Sequence, residues 1–379
     1  MNEAGGQSSA RRPGPPIPYN VLTGFLGAGK TTLLNRLLKL PALADTAVVI
    51  NEFGDVGLDH LLVEHADDGL VTLTTGCLCC TMRGDLVDAL ERLLRARDNG
   101  RATFRRVVVE TTGLADPAPL LHTAMVHPYL LMRYRLDGVV TLVDAVNGLA
   151  TLDNHPEAVK QAAMADRLVV TKTDLLDTAE RRAAADRLRQ RLRSLNPAAP
   201  ILDAQAGEAS EALFDCGLYD PERKIPDVRR WLGEEAYRDA HSEHDHHHHD
   251  RNRHDDRIRA FSLVTDTPMP SSAFGMFLDL LRSMHGPNLL RVKGVVNLAD
   301  TPDRPVVLHG VQHVFHPPAS LSAWPDDDRR TRLVFITRDV EPRVIRELFA
   351  AFTASAAPDR PDATALLDNP LTPFGGRDR

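Results

Sequence analysis

From residue 17 to about 205, short apolar runs rich in β-branched residues alternate with amphipathic stretches of helical period. The candidate strands are the run ending at Leu22, then 46–51 (TAVVIN), 70–75 (LVTLTT), 104–110 (FRRVVVE), 136–145 (LDGVVTLVDA), 166–173 (DRLVVTKT) and 200–204 (PILDA). Near-continuous apolar strands separated by helical segments predict a parallel sheet covered on both faces, because a strand buried on both sides keeps no polar face. Segment 179–195, AERRAAADRLRQRLRSL, has strong helix formers and a charged face, and NPAAP after it stops the helix. Near 220 the periodicity fails, and 220–256 reads as a solvated linker of Asp, Arg and His. Beyond 257, strand patterns follow one another directly in IRAFSLV, LLRVKGVVNLA, RPVVLHGVQHVFH and RLVFITRD, with helices near 270–284 and 341–351. The expected organisation is a flexible N-terminus (1–16), an α/β domain with a parallel central sheet (17–219), a linker (220–256), a smaller α+β domain with a largely antiparallel sheet (257–353), and a tail (354–379).

Composition narrows the class of partner. A chain of 379 residues with 43% hydrophobic and 26% charged content can bury two cores, and no apolar run approaches a membrane span, so no membrane partner is expected. Net charge is −7 with no basic stripe, which argues against nucleic acid. The opening MNEAGGQSSARRPGPPIP has no apolar h-region after Arg11-Arg12, so a cytoplasmic location is expected. Thiols stay reduced there, and clustered cysteines then point to metal or catalysis rather than disulfides.

The segment 24–32, GFLGAGKTT, fits G-x-x-x-x-G-K-[ST] between a strand and a helix, the context a phosphate-binding loop requires. Its glycines let backbone N–H groups turn inward on a phosphate, Lys30 brings a point charge, and the Thr31 hydroxyl is suited to Mg²⁺. Gly24, Gly27, Ala28, Gly29, Lys30, Thr31 and Thr32 are therefore the candidate phosphate-binding residues. VVTKTDLL at 169–176 ends a strand with T-K-x-D, close to the N-K-x-D of GTPases. Asp174 would accept from the guanine N1–H and 2-amino group, whereas adenine would leave the carboxylate unpaired, so GTP is favoured. Two more loops follow strands: NEFGD, with Glu52 and Asp55 as metal or water-positioning candidates, and ETTGLADP. In the latter, Glu110 sits where a carboxylate would act on the Mg²⁺ shell and Gly113 could offer its N–H to the γ-phosphate.

LTTGCLCC places Cys77, Cys79 and Cys80 on one loop after a strand. Three close thiolates tolerate one another only around a cation, and C-x-C-C suits three sulfurs plus a fourth ligand such as Glu52, a histidine or water. Soft thiolates favour Zn²⁺ or Cu⁺, and Co²⁺ fits the same tetrahedron. Cys216 stands alone and reads as a buried small hydrophobe. Seven histidines between His241 and His254 could gather further ions, while His309, His313 and His316 read as ordinary strand and turn residues.

Taken in order, GFLGAGKTTLLN, NEFGDVGLD, TTGCLCC, ETTGLADP and TKTD resemble the CobW-type P-loop GTPases, and LLRVKGVVNLA and VLHGVQHVF are similar to that family's C-terminal domain. The resemblance implies a P-loop NTPase fold, phosphate and Mg²⁺ on Gly27, Gly29, Lys30, Thr31 and Thr32, metal on Cys77, Cys79 and Cys80, and the base on Thr171, Lys172 and Asp174. It also implies metal delivery to a client metalloprotein, with Thr171 departing from the usual Asn. The function expected is thus a GTP-hydrolysing metallochaperone for Zn²⁺ or Co²⁺, catalysis resting on Lys30 and Glu110. With no arginine finger or glutamine in either switch-like loop, turnover should be slow in isolation. The alternative is a metal-buffering protein whose nucleotide serves stability.

Overall fold

The computed structural model describes residues 15–53, 70–75, 82–216, 257–315 and 318–353, without side chains at 51–53, 70–75, 82–85 and 123–126. Cys77, Cys79, Cys80, Asp55, His316, the histidine run at 241–254 and both terminal segments lie outside those residues.

The first domain is a seven-stranded parallel sheet of β1 (Ile17–Gly24), β2 (Thr46–Phe53), β3 (Leu70–Thr75), β4 (Arg106–Glu110), β5 (Tyr134–Asp144), β6 (Arg167–Thr171) and β7 (Ile201–Asp203). Across the sheet the order is β3-β2-β4-β1-β5-β6-β7. Its helices are α1 (Lys30–Leu38), α2 (Met82–Asp98), α3 (Pro117–Val126), α4 (Pro128–Arg133), α5 (Gly148–Asn154), α6 (Pro156–Met164) and α7 (Ala179–Leu195). Alternation along the strands splits the core in two, as a pleated sheet covered on both faces requires. Tyr19, Val21, Val107 and Val109 pack with α2 through Leu90, Leu93 and Leu94. Leu22, Val48, Val108 and Val140 pack with α1 through Leu33, Leu34 and Leu37.

The second domain has β8 (Ile258–Thr265), β9 (Leu289–Val296), β10 (Val306–Val311), β11 (Val314–Phe315), β12 (Ala319–Ser320) and β13 (Thr331–Arg338), with α8 (Ser271–His285) and α9 (Pro342–Thr353) on one face. All its ladders are antiparallel. Leu290, Val311, Val314 and Ile336 of this sheet join the core formed by β1, α2 and α3, so the two domains share buried apolar surface.

Because every strand of the first sheet runs the same way, Gly24, Phe53, Thr75, Glu110, Asp144, Thr171 and Asp203 all end on one edge. Ligands of open α/β sheets sit outside this carboxyl edge.

Candidate functional site

β1 leads into residues 25–29 and on into α1. Gly24 has φ 145°, and a Cβ there would lie 2.5 Å from the Leu142 carbonyl oxygen of β5. Gly27 and Gly29 face open space, so what they supply is left-handed backbone, φ 72° and 86°. Alternation of left-handed and ordinary residues aims successive N–H groups into one concavity. α1 has no side-chain cap and no acidic residue in its first turn, so its positive end is left for an anion. Lys30 Nζ curls back onto the loop, donating to the carbonyls of Gly24 (2.9 Å) and Phe25 (3.3 Å). Ala28 is buried, and Thr32 is exposed in the first turn of the helix.

Thr31 Oγ1 donates to Glu110 Oε1 at 2.7 Å, which joins the start of α1 to the end of β4. A hydroxyl and a carboxylate in contact offer hard oxygens that fit Mg²⁺. Past Glu110, the Thr111 N–H donates to the Leu22 carbonyl at 3.0 Å, and Gly113 presses on the phosphate-type loop: a Cβ on it would come within 2.5 Å of Leu26 N. Here it is close approach, not backbone sign, that demands glycine. Asp116 accepts from the Ala118 N–H at 3.0 Å, starts α3 and pairs with Lys160.

At the other end of the edge, Thr171 is buried, and its hydroxyl donates to the Ala28 carbonyl at 2.8 Å. It braces the glycine loop rather than facing outward for a base. Lys172 takes left-handed φ 59°, and its Nζ lies 2.7 Å from Asp144 Oδ2. Burial pushes the Asp144 carboxyl up, but bonds from Lys172, the Val146 N–H and Asn147 outweigh it and hold the group below the usual carboxylate range. Asp174 is exposed and accepts from Gln205 Nε2 at 2.8 Å. Arg36 of α1 donates to the Ala204 carbonyl at 2.7 Å, and Asp203 accepts from Thr173 and from the Gln205 N–H. No sequence motif singles out Gln205. The one signal for it is the short strand 200–204 followed by a turn on the same edge.

A cleft of about 180 Å³ opens behind the glycine loop, lined by Phe25, Ala28, Asp144, Asn147, Gln161 and Lys172 among others. On the opposite flank, β2 and β3 run in register, Glu52 beside Thr74 and Phe53 beside Thr75, two residues before Cys77. Among the described residues no group of three or more His, Cys, Asp or Glu is placed to hold a metal ion. Cys216 is buried away from the carboxyl edge against Gly138, and burial pushes its thiol well up. His309 is buried in β10, while the exposed His313 places its ring 4.6 Å from that of His122.

Residues 18–203 match the family described as the CobW/HypB/UreG nucleotide-binding domain, and 258–353 match the cobalamin synthesis protein CobW C-terminal domain. The chain is 34% identical over 335 residues to the zinc chaperone YjiA of Escherichia coli, covering 88% of this chain and 98% of that protein. It is 31% identical over 331 residues to the zinc chaperone CobW of a Sinorhizobium species, covering 79% and 86%. The crystal structure of Zn(II)-bound YjiA GTPase from E. coli superposes with a TM-score of 0.65, at 28% identity over 89% of this chain and 99% of that one.

Proposed function

The chain belongs to the CobW/HypB/UreG family of nucleotide-binding proteins and is a GTPase, and from that premise we propose that it is a metallochaperone whose nucleotide state sets how tightly its cysteine loop holds Zn²⁺ for a client metalloprotein. The carrying observation is the strand order β3-β2-β4-β1. It sets the end of β3, which leads into Cys77, three strand spacings from the glycine loop, roughly 14 Å along one edge. Between them stand Glu110 and the end of β2 with Glu52. GTP would lie along this edge, its phosphates on Gly24, Gly27, Ala28, Gly29, Lys30 and Thr32, and its base toward Lys172, Asp174 and Gln205. Mg²⁺ would be held through Thr31, with Glu110 on its hydration shell. The γ-phosphate then faces the cysteine flank, and the loops after β2 and β4 can pass its presence on.

Zn²⁺ is the cargo, on Cys77, Cys79 and Cys80 with Glu52 as fourth ligand. The zinc-chaperone names of the relatives support this metal, and Co²⁺ serves as its spectroscopic stand-in. The test is a Co²⁺ titration read by thiolate-to-metal absorption, with GDP and then with a non-hydrolysable GTP analogue, in the wild type, Cys79→Ala and Cys80→Ala. The expected result is one tight site whose affinity shifts about 5- to 150-fold between nucleotides and disappears in both variants. Several ions bound regardless of nucleotide would favour a metal buffer instead.

A further inference from the structure

The loop after β4 is held from behind by α6. Gln161 Nε2 donates to the carbonyls of Gly113 (3.2 Å) and Ala115 (2.9 Å), and Lys160, one position earlier, forms an ion pair with Asp116. Gln161 is 1% exposed, and its Oε1 finds no hydrogen-bond partner among the described residues. Leaving such an acceptor unsatisfied carries the cost of its lost hydration. What the side chain gains in that position is its grip on the loop.

The other end of this short helix meets the C-terminal domain. Arg291 of β9 donates to the Met164 carbonyl at 3.3 Å and pairs with Asp166, and Lys293 Nζ lies 2.6 Å from the same carboxylate oxygen. The second oxygen of Asp166 accepts from the Val139 N–H of β5 at 2.9 Å. Asp166, Arg291 and Lys293 are all buried, so a positional change here cannot be absorbed by solvent. Asn196 donates to the carbonyls of Ala162 (2.9 Å), Ala163 (3.2 Å) and Ala165 (2.8 Å), which closes the C-terminal end of α6. Gln161 and Met164 are one turn apart on the same face of the helix, so no flexible link separates the loop from the second domain. α6 is itself buried nearly all round, with Ala158, Val159, Ala162 and Ala163 packed.

We propose that Gln161 is a positioning residue for GTP hydrolysis, and that α6 carries the state of the Gly113 loop to the C-terminal domain through Asp166, Arg291 and Lys293. The inference rests on the GTPase reading above and on the close approach of Gly113 to Leu26 of the phosphate-type loop, and it is independent of the cysteine site. It also accounts for the two cations in the strand LLRVKGVV, which read the end of α6.

A kinetic cycle tests it on the full-length protein. Gln161→Ala should lower kcat about ten-fold or more while KM stays within about two-fold, because loop geometry and not ground-state affinity is lost. A triple variant, Asp166→Asn with Arg291→Met and Lys293→Met, removes all three charges of the cluster together and keeps an acceptor for Val139. It should lower kcat about five-fold or more. Adding Gln161→Ala to the triple variant should lower it no further than Gln161→Ala alone. Losses that multiply, or an unchanged kcat in Gln161→Ala, overturn the proposal. Should the triple variant not fold, hydrogen exchange at residues 289–296 decides. Protection in the wild type should differ between GDP and the GTP analogue, and that difference should vanish in Gln161→Ala. No difference in the wild type overturns the strut, whereas failure of the wild type to bind GTP would overturn the nucleotide reading instead.

Discussion

Asp174 and Gly113 carry the most at single positions. Asp174 projects from the turn after β6 with one oxygen on Gln205, so a guanine would meet a carboxylate already oriented from the next strand. Asp174→Asn should weaken GTP binding by about 1.5–3 kcal/mol, as when a charged acceptor is lost, with weak ATP binding unchanged; calorimetry with both nucleotides checks it. Gly113→Ala puts a methyl within 2.5 Å of Leu26 N, and two loops must then part. The expected outcome is a large fall in GTP turnover with a smaller change in melting temperature, measured side by side. Motif residues were legible because their chemistry is local: a glycine needing positive φ, or a lysine next to it, is set within a few positions. Thr171 was not. Nothing near it in sequence reveals that its hydroxyl is spent on the Ala28 carbonyl, 143 residues away.

Among the elements, α7 came through at 179–195, since a charged face, an apolar stripe and a stop signal agree; Thr178 accepts from the Arg181 N–H as its N-cap. The strand patterns likewise match β1 to β7 within a few residues at each end. α6 is the contrary case. It is short and buried on most sides, with exposed Glu157 and half-buried Lys160 as its polar side, too few positions for a period to be read. Its C-terminal carbonyls depend on Asn196, a single buried amide arriving from the end of α7. Asn196→Leu should therefore destabilise the protein by about 2–3 kcal/mol, more than a surface change and comparable to a core truncation. Urea unfolding measures this, and a change within error would show that water takes over those carbonyls.

The two domains are joined by Asp166, Arg291 and Lys293, and this junction makes stability depend on pH. Burial alone would raise the Asp166 carboxyl, but the charges of Arg291 and Lys293 and the Val139 N–H hold it below its ordinary value of 3.8. A depressed carboxyl contributes stability that is fully present above the unfolded pKa and is lost as pH falls through the folded one. Asp137 acts in the opposite sense: burial raises it despite bonds from Asn20 and the Cys216 N–H, so its contribution declines as pH climbs from 3.8 toward the raised value. Asp166→Asn should cost about 3–5 kcal/mol at neutral pH, because two buried cations lose their partner, and should flatten the acid limb of a stability profile. Unfolding curves taken from neutral pH down to about pH 2 check both parts. An acid limb unchanged by the substitution would place the acid sensitivity elsewhere, for instance at Asp328, held down to about 2 chiefly by Arg330.

Sequence alone determined the parallel character of the first sheet, the antiparallel character of the second, the glycine loop, and the position of each candidate loop after a strand. Those features depend on φ/ψ preferences and on periodicity over a few residues, which the chain spells out position by position. Tertiary structure decided which strand ends are neighbours, and hence that the phosphate-type loop stands three strands from the end of β3. It also supplied Gln205 beside Asp174, Gln161 behind Gly113, and Asp166 between two cations more than a hundred residues downstream. Such pairings arise where packed layers bring distant segments together, and the partner of a buried charge is chosen by that packing, not by its neighbours along the chain.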